Sequence, residues 1–86
     1  MIRQKYIRYA VKGFVIFRDT DSMVHFDVDR AIGSKFDRVL SAGFVELGNG
    51  IVRCYGRSES MNKDSRLDDS IALANQLGIT ITGESL

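Results

Sequence analysis

A single histidine, His25, and a single cysteine, Cys54, narrow the chemistry that this chain can carry. One imidazole cannot build a two-histidine metal site or a histidine pair for proton transfer. Cys54 lies in a β-rich run with no second thiol and no evident activating base, and reads as a small packed hydrophobe. Asp19 and Asp21 have the first two spacings of a calcium loop, but Met23 and His25 follow where oxygen ligands and a glycine are needed. Asp68 and Asp69 open a helical stretch, where carboxylates favour the positive end of the helix dipole for structural reasons. Gly48 and Gly50 flank a turn that leads into a strand, so they build no phosphate cradle. These residues predict a non-enzymatic protein without metal or cofactor. What remains is a recurrent pairing of rings with cations: Arg8, Lys12 and Phe14 early in the chain, then Phe44, Arg53, Tyr55 and Arg57.

Composition allows such a surface without naming its partner. The 86 residues suffice for one domain, 44% hydrophobic and 27% charged, which is globular rather than disordered. A net charge of +1 predicts neither nucleic acid nor membrane by itself. Its distribution is uneven, because Arg3, Lys5, Arg8, Lys12 and Arg18 occupy the first 18 positions with no acid among them. Arg8 and Lys12 interrupt any N-terminal apolar run, so no secretory signal is expected. No stretch approaches the roughly 20 apolar residues of a membrane span. One cysteine excludes an internal disulfide, and a soluble cytoplasmic location is expected.

The elements that must position those rings follow from periodicity. From Tyr6 to Arg18 the chain alternates with period two, the pattern of one half-buried strand. Ile7, Tyr9, Val11, Gly13, Val15 and Phe17 form an uncharged face; Tyr6, Arg8, Ala10, Lys12, Phe14, Ile16 and Arg18 form a mixed one. Residues 23–32 fit a strand at Val24, Phe26 and Val28, but a short helix from His25 to Ile32, stopped by Gly33, is the preferred reading. Asn49-Gly50 predicts a type I′ hairpin that sets Leu47 against Val52, Glu46 against Arg53, Val45 against Cys54, Phe44 against Tyr55 and Gly43 against Gly56. The two glycines would mark a close helix–sheet approach. Residues 61–69 read as a polar loop ending in a Ser65/Asp68 capping box. Leu67, Ile71, Ala74 and Leu77 then give a helical stripe closed by Gly78, and Ile79 to Thr82 a short last strand. The order predicts a single α+β domain, β-α-β-β-α(-β), with a mainly antiparallel sheet and both helices on one face, of ferredoxin-like type.

RNA-recognition domains share that order, and Lys12-Gly13-Phe14 matches the start of their stacking motif. Val15 and Ile16 then stand where a small residue and a second ring belong, and the run lies on the first strand rather than the third. The motif is therefore not met. With helices over the uncharged faces, the open face would show Tyr6, Arg8, Lys12 and Phe14 beside Arg38, Phe44, Arg53, Tyr55 and Arg57, with Glu46 and Glu59 as its acids. Such a face suits a protein partner or a second copy, since Tyr and Arg dominate protein interfaces. Single-stranded nucleic acid is the alternative partner, stacked on the same rings.

Three fragments, "VLSAGFVEL", "VRCYGRSES" and "SRLDDS", resemble small uncharacterised proteins of bacterial prophages and mobile elements, over roughly residues 39–75. Leu67 stands where those proteins carry proline. The resemblance implies a bacterial, cytoplasmic accessory protein and transfers no catalytic residue.

Overall fold

A computed structural model describes residues 2–19, 24–33, 36–48 and 50–79. Its elements are β1 (Ile2–Tyr9), β2 (Gly13–Arg18), α1 (His25–Ile32), β3 (Val39–Gly48), β4 (Ile51–Tyr55), β5 (Arg57–Ser58), β6 (Lys63–Asp64) and α2 (Asp69–Leu77). Four strands form an antiparallel sheet in the order β2-β1-β3-β4, and β5 pairs with β6 apart from it. The α+β class and antiparallel sheet match the sequence reading, whereas the ferredoxin-like element order does not appear.

The expected single strand from Tyr6 to Arg18 is a hairpin. Alternation runs straight through it because Tyr9 pairs with Gly13, and the odd three-residue loop preserves the parity of both faces. Gly13, with φ +84°, supplies the left-handed residue that closes the turn. The turn is also held from afar. The Asp37 carboxylate accepts the Val11 and Lys12 backbone N–H groups at 2.7 and 2.9 Å and the Lys12 ammonium at 3.2 Å. Burial alone would raise the Asp37 pKa, but these donors outweigh it and hold the carboxyl below its ordinary value. Nothing in residues 6–18 announces that distant plug.

Both faces of the sheet are covered, so the two helices lie on opposite sides rather than on one. Tyr6 and Ile7 are successive residues of β1 and point to opposite faces. Tyr6 packs with Phe14, Val45, Val52 and the α2 residues Leu73 and Ala74. Ile7 packs with Tyr9, Ala42 and Val28 of α1. The helix boundaries His25–Ile32 are those expected, and α1 is tied to the sheet by a Tyr9 hydroxyl that donates to Asp29 at 2.7 Å.

Helix α2 buries a different side from the expected stripe. Asp69, Ser70, Leu73 and Ala74 face inward, while Leu67, Ile71 and Leu77 are exposed. Two polar residues can face the sheet because each is satisfied there. Ser70 Oγ accepts the Cys54 N–H at 2.9 Å, and Asp69 accepts the Arg66 N–H at 2.9 Å. The Ser65/Asp68 capping box does not form, since Asp68 makes no side-chain cap bond. At the far end, Gln76 Oε1 accepts the Phe14 N–H and its Nε2 donates to the Phe14 carbonyl, at 2.8 and 3.0 Å. One helix thus satisfies backbone groups on both edge strands, β4 through Ser70 and β2 through Gln76, which blunts the sheet edges. Gly78 ends α2 in the left-handed conformation, as expected.

The β3–β4 register is the expected one from Leu47–Val52 to Phe44–Tyr55. The Gly43–Gly56 pair falls beyond the end of β4. Gly43 marks a close approach of strand to strand rather than of helix to sheet: a Cβ there would stand 2.5 Å from the Tyr55 carbonyl oxygen. Asn49 and the expected strand after Ile79 lie outside the described residues. The loop expected over 61–69 contains β6, whose two residues close a small hairpin with β5.

Candidate functional site

Register decides which of the ring and cation residues meet. Phe44 lies across from Lys5, so it shares a face with Ile7 and Tyr9, the side on which α1 packs. Tyr55 pairs with Phe44, and Arg53 precedes it by two, so both lie on that face too. Arg8 and Phe14 point the other way, under α2. Lys12 sits in the β1–β2 turn, its ammonium over the Tyr9 ring at 4.4 Å. Arg57 belongs to β5, outside the main sheet. The structure therefore splits the expected surface: Phe44, Arg53 and Tyr55 come together with Arg57 nearby, and Arg8, Lys12 and Phe14 are elsewhere.

Arg8 and Tyr6 are core residues of a polar kind. Arg8 donates to the fully buried Asp69 carboxylate at 2.9 Å and to Asp68 at 3.2 Å, and lies 5.2 Å from the Phe14 ring centre. The Tyr6 hydroxyl donates to the other Asp69 oxygen. Burial, then this bond, holds Tyr6 well above the ordinary phenol pKa. Charge on a strand suggested solvent; here it is neutralised beneath a helix.

On the opposite face the rings and guanidinium groups form a ladder. Arg3 lies 4.6 Å from the Phe44 ring centre, Phe44 and Tyr55 are 6.0 Å apart, and Arg53 lies 4.5 Å from Tyr55. Arg3 belongs to the basic N-terminal stripe but is not among the residues expected on this surface, although its odd-numbered place on β1 could have revealed it. Each cation already has a carboxylate. Arg3 donates to Asp19 at 2.6 Å, Arg53 to Glu46 at 2.9 Å, and Arg57 to Asp64 and Glu59, both at 3.0 Å. Helix α1 packs over the Ile7, Tyr9 and Ala42 end of the face and leaves Arg3 and Arg53 exposed.

Beside the ladder lies an open cleft of about 400 Å³, lined by Lys5, Val24, His25, Phe44, Arg57 and Ser60 among others. His25 forms its inner wall, 3% exposed, with its ring edge-on to Phe17 and Phe44 at 5.5 and 5.9 Å. Its Nε2–H donates to the Gly43 carbonyl at 2.7 Å. Burial lowers its pKa below the ordinary 6.5, against the smaller opposing pull of that carbonyl. Between the folded and unfolded values the unfolded chain binds more protons, so stability falls as pH drops below about 6.5. Denaturant midpoints at roughly pH 7.5 and pH 5.5 should show this loss in the wild type and much less of it in His25→Phe. An equal loss in the variant would assign the pH dependence to other groups.

The remaining chemistry is unpromising. Burial, then the charge of Asp69, pushes the Cys54 thiol up to about 12, so it is protonated at neutral pH. Among the described residues no cluster of His, Cys, Asp and Glu could hold a metal ion, and no helix is long and apolar enough to cross a membrane. Comparison with protein-family models, curated proteins and solved structures finds no match to the chain.

Proposed function

We propose that this protein is a small binding module that recognises another protein through the Arg3–Phe44–Tyr55–Arg53 ladder and the cleft beside it. The observation that carries the reading is the ladder's position on the part of the sheet face where Arg3 and Arg53 remain exposed. Stacked rings and guanidinium groups beside a pocket suit the aromatic and arginine anchors of protein interfaces. Single-stranded nucleic acid on the same rings is the competing reading, with each stacked base worth roughly 1–3 kcal/mol. It is the weaker of the two because phosphates would have to displace the carboxylates that already hold Arg3, Arg53 and Arg57. The bacterial mobile-element setting implied by the sequence resemblance belongs to the same proposal.

Selection from a displayed random-peptide library tests it. Peptides enriched on the wild type should bind the folded Arg53→Ala/Tyr55→Ala variant about a hundredfold more weakly, the scale of losing two interface anchors. Equal binding to that variant would remove the ladder as the contact.

A further inference from the structure

Helix α1 turns His25, Val28 and Asp29 toward the sheet and leaves Phe26, Asp27, Arg30 and Ala31 exposed. At 100° per residue, Asp27 and Arg30 lie nearest the middle of the outer face, with Phe26 and Ala31 flanking them on opposite sides. Many of the chain's cations are paired internally: Arg3, Lys5, Arg8, Lys12, Arg53 and Arg57 all have carboxylate partners. Among the described residues, neither Asp27 nor Arg30 has an ion-pair partner, although they are three positions apart on one helix.

We infer that α1 is a self-association surface, packing antiparallel against α1 of a second copy about a two-fold axis between residues 28 and 29. In that register position i of one copy meets position 57 − i of the other. Asp27 then meets Arg30 of the second copy, and Arg30 meets its Asp27. Phe26 lies on one side of the seam together with Phe26 of the second copy, and Ala31 lies on the other side with its own counterpart. Charge is self-complementary in this arrangement, as a two-fold interface requires. A parallel pair would set Asp27 against Asp27 and Arg30 against Arg30. Antiparallel packing also brings the acidic first turn of each helix beside the basic last turn of the other. The occupant of the α1 face is therefore a second copy of this chain. The contact stands apart from the ladder, which remains available to a different protein.

Sedimentation equilibrium on the full chain over a wide concentration range tests the inference. The wild type should show a weak reversible dimer. Asp27→Arg alone and Arg30→Asp alone should each weaken it about tenfold or more, since two attractive contacts become repulsive. The double swap Asp27→Arg/Arg30→Asp should restore it. Because swapped charges oppose the helix dipole, removal of the flanking ring provides an independent check: Phe26→Ala should also weaken the dimer. A wild type that stays monomeric at millimolar concentration overturns the inference. So does a double swap no better than its single parents. Arg53→Ala/Tyr55→Ala should leave the dimer intact; if it alone dissociates the dimer, the self-contact lies on the ladder instead.

Discussion

Asp69→Ala should cost about 3–5 kcal/mol, the scale for removing one partner of a buried ion pair. The carboxylate is fully buried and receives the Tyr6 hydroxyl, the Arg8 guanidinium and the Arg66 N–H. Without it, Arg8 keeps only the exposed Asp68 as partner, from a side chain that is 19% exposed. Domains of this kind have roughly 5–15 kcal/mol of total stability, so the variant should sit near its unfolding threshold. Urea denaturation would read the loss as a shifted midpoint. A second substitution separates charge from packing: Arg8→Met added to Asp69→Ala should recover part of the stability, because it removes the stranded cation. A single variant as stable as the wild type would mean that the cluster is incidental.

Gly43→Val should be nearly as damaging, about 3 kcal/mol, through overpacking rather than lost charge. The obstruction is backbone: a Cβ at Gly43 would stand 2.5 Å from the Tyr55 carbonyl and 3.4 Å from the Gly56 carbonyl carbon. A flexible side chain could swing aside, whereas β4 would have to move as a unit. The same shift would disturb the His25 bond to the Gly43 carbonyl and the Phe44–Tyr55 contact. Loss of stability should therefore be accompanied by altered amide shifts at His25, Phe44 and Tyr55. A stable variant with unchanged shifts would show that the strands have slack there.

Local signals in the sequence were trustworthy where short-range chemistry decided the outcome. The β3–β4 register followed from pairing Glu46 with Arg53 and Phe44 with Tyr55, and α1 ended at Gly33 as its spacing suggested. Periodicity failed where residues far apart in sequence supplied the decisive partner. The β1–β2 turn depends on Asp37, and burial of Arg8 and Tyr6 depends on Asp69, some 60 residues away. Charge on the mixed face of β1 therefore suggests an exposure that Asp69 overrides. Arg8 and Phe14 of the expected surface fall under α2 as a result. Phe44, Arg53 and Tyr55 stay together because the hairpin fixes them, and they gain Arg3 from the neighbouring strand. Leu67 and Ile71 misled for the converse reason: apolar residues turned outward once Asp69 and Ser70 found partners inside.

The most direct test of the ladder as a protein-binding surface is an NMR titration of the isotopically labelled protein at low and moderate salt. The library-selected peptide is added to one sample and mixed short single-stranded DNA and RNA to another. The peptide should move the amides of Arg3, Phe44, Arg53 and Tyr55 to a similar extent at both salt levels, and the oligonucleotides should leave them in place. Phosphate contacts weaken steeply with salt, whereas apolar contacts do not. Oligonucleotide shifts at those four residues that fade as salt rises would instead identify the ladder as a nucleic-acid surface.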